Sequence, residues 1–259
     1  MKATVISKLF VLFLSTSLLS CFSNQGLPTA QTDGELTEGV EDALDHSDLA
    51  YVLSTYVAED GNVNYAGLKA DRTKLDSYLK MLKNNAPTDD WKVEQQLEYY
   101  INLYNAATLR LIIDNDIPGS IKDIGGLTGP WLKDVVEIGD KTLNLASLEK
   151  AILQKMGEPR IHFAINCASE SCPKLQNEPF LASTMEAQLE AATREFMASD
   201  KNKISRSKLE LSSIFSWYEK DFTNTGMTIQ QYVDKYTDTM VADNATITYK
   251  DYDWSLNRQ

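Results

Sequence analysis

Residues 160–173, Arg-Ile-His-Phe-Ala-Ile-Asn-Cys-Ala-Ser-Glu-Ser-Cys-Pro, bring His162, Cys167 and Cys172 into one short stretch of a chain that has only two histidines and three cysteines. An imidazole changes its protonation near neutral pH and a thiolate is a strong nucleophile, so covalent or acid–base chemistry would be sought here first. In one reading Cys167 is the nucleophile and His162 the base of a thiol-dependent hydrolase or acyl-transfer enzyme, with Glu149 as a third catalytic member. In the other, Cys167 and Cys172 form a structural disulfide and His162 is a strand histidine hydrogen-bonded to Glu149 or to a carbonyl.

Geometry limits the first reading. Read as a strand, Ile161 to Ile165 puts His162 on the face opposite Ile161, Phe163 and Ile165, and five residues of straight strand span roughly 16 Å. His162 and Cys167 then meet only if the chain bends at Asn166. Cys-x4-Cys with one histidine is a weak metal signature, so no metal is expected, and no cofactor is implied. The spacing is not Cys-x-x-Cys, which ranks thiol redox work last. The chain has no Gly-rich phosphate loop, Gly-x-Ser-x-Gly elbow or His-Glu-x-x-His.

The element expected to support this cluster is a long helix from about Trp91 to Ile113, whose latter part is apolar on nearly every side, as in the buried centre of a domain. Glu98, Asn102 and Asn105 form one polar stripe on it, at i, i+4 and i+7. Asn102 and Asn105, with Ser169 and Ser171, are the candidate substrate-binding residues; the competing role for the two asparagines is to hold the 160–173 loop by hydrogen bonds. A non-enzymatic alternative uses the Asn102/Asn105 face and the aromatic side chains Trp131, Trp217 and Tyr218 to bind a small molecule, a peptide or an envelope partner.

Around these, helices are expected over Val40–Val57, Arg72–Leu82, Ser147–Met156, Met185–Met197, Ser213–Phe222 and Thr228–Tyr236. Hairpins are expected about Gly139-Asp140 and near Arg206, with a last strand over Ala245–Tyr249. Residues 59–68 read as a turn-rich connection. The class is α+β, a helix-rich single domain over 40–259 around a buried central helix with a small, mostly antiparallel sheet.

The N-terminus addresses the chain. Lys2 and Lys8 precede an apolar run ending Leu18-Leu19-Ser20-Cys21, which reads as a lipoprotein signal peptide over residues 1–20 with Cys21 as the lipidated residue. Residues 21–39 read as a flexible polar tether. The expected location is across the inner membrane, lipid-anchored in the cell envelope, with Phe22 favouring the outer membrane in a Gram-negative host. The formal charge of −12, from 25 basic and 37 acidic residues, argues against nucleic acid as a partner. The membrane is reached through the lipid on Cys21.

Tyr100-Ile-Asn-Leu-Tyr-Asn-Ala-Ala-Thr-Leu109, Leu145-Ala-Ser-Leu-Glu149, the 160–173 stretch, Leu211-Ser-Ser-Ile-Phe-Ser-Trp-Tyr218 and Tyr252-Asp-Trp-Ser-Leu-Asn257 together resemble the domain-of-unknown-function 547 family, in an order covering nearly all of 45–257. The resemblance implies a Glu-His pair where this chain has Glu149-Lys150, so a second imidazole is missing. It also implies that the residue matching Cys167 is kept more widely than the one matching Cys172, which favours Cys167 as the chemical candidate. A fold-level analogy to papain and transglutaminases, with histidine on a strand beside a central helix, is the distant alternative architecture.

Overall fold

The computed structural model describes residues 23–126 and 129–259; the signal peptide and Cys21 lie outside the described residues. Helix α1 (Ser47–Tyr56) is followed by α2 (Tyr65–Ala70), α3 (Thr73–Asn84) and the long α4 (Val93–Asp114). Strands β1 (Asp134–Ile138) and β2 (Lys141–Asn144) make an antiparallel hairpin, with Val136 opposite Leu143. Helix α5 (Leu145–Ser147) runs into a π-helical turn, Leu148–Ile152, and then a 3-10 turn, Leu153–Met156. Next come α6 (Ile161–Ala164), α7 (Met185–Ala198), β3 (Lys203–Ile204) and β4 (Lys208–Leu211), and the chain closes with α8 (Ile214–Trp217), α9 (Glu219–Thr223), α10 (Ile229–Lys235) and β5 (Thr246–Tyr249). β4 pairs antiparallel with β3 and parallel with β5. The domain is α+β and helix-rich, and no described helix is long and apolar enough to cross a membrane.

Helix α4 is buried along nearly its whole length, from Glu94 to Ile113, as its all-round apolar sequence requires. Leu49, Leu75, Leu97 and Leu148 pack in the same core. A second core gathers Phe163, Phe196, Phe215, Phe222 and Tyr232. Helix α6 is shared between the two: Ile161 and Ala164 belong to the first core and Phe163 to the second.

Several local expectations change. Ile161–Ala164 is a helical turn, not a strand; the alternation of Ile, His, Phe and Ala over four residues fits either period, and the two cores on either side select the helix. With His162 on a helix, the strand-borne histidine of the papain and transglutaminase analogy is not present. Tyr65–Ala70 is helical because the Asn64 side chain accepts the Gly67 N–H at its N-terminus, inside what reads as a turn-rich connection.

The segment expected as a tether is held to the domain where it is described. Leu27 and Leu36 are buried, and the backbone N–H groups of Ala30 and Thr37 donate to Gln96 Oε1 and Glu94 Oε1 on α4. Just beyond it, the Ala43 N–H donates to Glu98 Oε2, which also takes the Ala182 N–H. Buried His46 bridges Glu98 and Tyr78 through its two ring nitrogens.

The chain enters α6 at Arg160, whose side chain is 7% exposed and forks onto Glu158 and Glu186. The Arg160 guanidinium beside Glu186 holds that carboxyl below its usual range. A carboxyl depressed by folding adds stability above its unfolded pKa and loses it as pH falls through the folded value. Urea midpoints measured through the acid range are therefore expected to fall less steeply for Glu186→Gln than for the parent, the difference vanishing once both forms are protonated.

Candidate functional site

The seam between the two cores opens into a cavity of about 410 Å³. Tyr104 and Ile165 of the first core face Ile214, Tyr218 and Tyr252 on the side of the second. Ligand cavities favour such junctions, where two rigid bodies meet without filling the gap. Trp131, Trp217 and Trp254 supply further rings, with Trp217 and Trp254 stacked at 5.7 Å and Tyr252 tilted against both at 4.7 and 4.5 Å. Trp217 is 49% exposed and Leu132 47%, so apolar side chains extend to the mouth. A larger cleft of about 680 Å³ is lined by side chains already ion-paired with one another, among them Asp76, Arg110 and Asp114.

His162 lines the cavity from α6, buried and stacked at 3.9 Å on the Tyr218 ring. Its Nε2 lies 2.8 Å from Asp221 Oδ2 on α9, so its carboxylate partner is Asp221 and not Glu149. Glu149, in the π-helical turn, instead accepts the Tyr218 hydroxyl at 2.6 Å and, at 3.5 Å, that of Tyr104. A π-helical turn widens the helix and re-aims a side chain, which is why such turns recur at functional positions. Burial, reinforced by the Glu149 charge, raises both tyrosine hydroxyls well above their ordinary range, so each stays protonated as a donor. The polar side of the cavity thus holds the buried Glu149 carboxylate and the Asp221-paired His162 imidazole, with Lys150 also on its wall.

Cys167 and Cys172 are joined in a disulfide that forms part of the cavity wall. The chain does turn at Asn166, whose Oδ1 accepts the Ala168 N–H at 2.7 Å while Ala168 takes a left-handed φ of 61°. Cys167 thereby shares the cavity with His162, but no hydrogen bond joins them and the bonded sulfur is no thiol nucleophile. The Cys167 N–H donates to Cys172 Sγ at 2.9 Å, and the Tyr252 hydroxyl lies 3.3 Å from Cys167 Sγ and 3.2 Å from Cys172 Sγ.

The four residues expected to bind substrate do other work. Asn102 is buried and closes a two-way pair with Phe180, donating to its carbonyl at 2.7 Å and accepting its N–H at 3.0 Å. Asn105 is buried too, donating to the Ala164 carbonyl and accepting the Asn166 N–H. Ser169 is buried with its Oγ 3.4 Å from Cys167 Sγ, and Ser171 Oγ accepts the Asp253 N–H, tying the cysteine loop to the C-terminal tail. None of the four lines the cavity. Trp131, Trp217 and Tyr218 do, whereas Asp221, Tyr252, Tyr104 and Trp254 carried no signal that would pick them out one by one. The nearest hint was the Tyr252-Asp-Trp-Ser-Leu-Asn257 motif of the family resemblance. Among the described residues, no group of three or more His, Cys, Asp or Glu side chains is placed to hold a metal ion.

Residues 88–197, which run from before α4 to near the end of α7, match the family model described as "Protein of unknown function, DUF547". That stretch belongs to DUF547. The DUF547 segment supplies α4, the hairpin, Glu149, His162 and the disulfide. Asp221 and the rings of Trp217, Tyr218, Tyr252 and Trp254 come from the chain that follows it. No curated protein and no solved structure matches the chain.

Proposed function

We propose that the protein is a cell-envelope lipoprotein, anchored through Cys21, that binds a small amphipathic ligand in the aromatic cavity. The carrying observation is the cavity itself: about 410 Å³ walled by tryptophan and tyrosine rings, with the Glu149 carboxylate buried among them. Aromatic walls favour a ring or apolar body, and a carboxylate favours a partner that donates hydrogen bonds. The ligand class is therefore an apolar or ring-bearing body with an amine or hydroxyl at one end.

Ligand-observed NMR with benzylamine, benzyl alcohol and benzoate tests this. The first two are expected to bind and benzoate is not, and Trp217→Ala should weaken binding roughly tenfold, the cost of one aromatic anchor. Equal binding of all three, or binding unaffected by the substitution, would refute the assignment. Anchoring is tested separately: metabolically supplied radiolabelled palmitate should enter the parent and not Cys21→Ala, with the variant leaving the membrane fraction. Label in both would rule out Cys21 as the lipid site.

A second reading, catalysis by Cys167 with His162 as base, is favoured by one arrangement. His162 is oriented by Asp221 through Nε2 and shares a cavity with Cys167. An oriented base beside a thiol is the arrangement of nucleophilic catalysis, and here it would require the disulfide to open first.

A further inference from the structure

We propose that Cys167–Cys172 is an exchangeable disulfide, attacked at Cys167 by a thiol compound that enters the cavity, with Cys172 as the leaving sulfur. Two asymmetries set this direction. Cys167 is only half-buried, whereas Cys172 is 4% exposed, so an incoming thiolate reaches Cys167 first. One donor is aimed at Cys172 Sγ alone, the Cys167 N–H at 2.9 Å, and the Tyr252 hydroxyl stands within reach of both sulfurs, 3.2 Å from Cys172 Sγ, where it can donate to whichever becomes the thiolate. Burial keeps that hydroxyl protonated, and the nearby Glu149 charge adds to the effect. Cys167 Sγ has hydroxyl neighbours only, Ser169 at 3.4 Å and Tyr252 at 3.3 Å.

Hydrogen bonds to a sulfur favour its thiolate, and a sulfur that leaves as a stabilised thiolate leaves faster. In the exchange, the attacking thiol first loses its proton to solvent. Its sulfur then forms a bond to Cys167 Sγ as the Cys167–Cys172 bond breaks, and the bonding pair stays on Cys172. The product is a mixed disulfide at Cys167 and a Cys172 thiolate held by the Cys167 N–H and Tyr252. Cys172 can return to expel the compound, or a second equivalent of thiol can remove it as a symmetrical disulfide and leave Cys167 free in the cavity with His162. The exchange stands on the access and hydrogen bonding of the two sulfurs and goes beyond the binding reading.

The full chain is incubated with benzyl mercaptan, quenched with acid and mapped by mass spectrometry. The benzyl adduct is expected on Cys167, with Cys172 free. Tyr252→Phe keeps the ring in the wall but removes the hydroxyl, and it should slow adduct formation roughly tenfold, the scale of one hydrogen bond to a charged group. Labelling first on Cys172, equal rates in parent and Tyr252→Phe, or an intact disulfide at millimolar thiol would each overturn the proposal. Benzylamine binding measured on the same samples reports separately whether the cavity takes ligand, so a failure of exchange is told apart from a failure of binding.

Discussion

Replacing Arg160 by methionine, at the entry to α6, is expected to lower stability by about 3–5 kcal/mol. Arg160 donates through Nε and Nη2 to the two oxygens of Glu158 at 2.8 and 2.7 Å, and through Nη1 and Nη2 to Glu186 at 2.6 and 2.7 Å. Burial alone would push the guanidinium toward neutrality, but the two carboxylates outweigh it and hold the charge firmly. Removing it strands Glu158, 5% exposed, with no opposite charge. Because the stranded charge is the source of the cost, Arg160→Met with Glu158→Gln should be more stable than Arg160→Met alone. Urea unfolding of the three proteins checks both statements. A single-variant loss below about 1 kcal/mol, the range of an exposed pair, would contradict the account. The effect should reach the site, since the Arg160 carbonyl accepts the Phe163 N–H in the turn that presents His162.

Asn105→Leu is the second large effect expected, about 2–6 kcal/mol from two unpaired buried groups. The leucine fits the apolar surroundings of α4 but satisfies neither the Ala164 carbonyl nor the Asn166 N–H, which the parent side chain meets at 3.0 and 2.9 Å. Each unpaired buried group costs about 1–3 kcal/mol. Asn166 in turn donates to the Pro173 carbonyl at 2.7 Å, so the two asparagines span the cysteine loop from α6 to its far end. The variant should therefore lose benzylamine affinity under conditions where it remains folded. Denaturant unfolding with parallel NMR binding would show this, and normal binding with a stability change under 1 kcal/mol would argue against a role in holding the loop.

The sequence made parts of this legible because they obey local rules. An all-round apolar helix has to be central, and Val-Val-Glu-Ile followed by Gly-Asp and Thr-Leu-Asn-Leu has to turn back on itself. The disulfide was one of two open arrangements for Cys167 and Cys172. Other parts depend on partners far along the chain. Asp221 stands 59 residues from His162, and nothing in Glu219–Thr223 marks one acid as an imidazole partner. The polar composition of residues 23–39 fits a tether, yet buried carboxylate and amide side chains of α4 capture its backbone N–H groups. Asn102 and Asn105 were recognisable as a stripe, but whether a buried amide faces ligand or backbone is set by what packs against it.

A crystal structure of the protein soaked with benzylamine tests the central claim most directly. The phenyl ring is expected against the cavity-facing surfaces of Trp217, Trp254 and Tyr252, with the amine within hydrogen-bond reach of Glu149 and the cysteine loop undisturbed. An empty aromatic cavity, or benzylamine bound elsewhere with its amine away from Glu149, would contradict it.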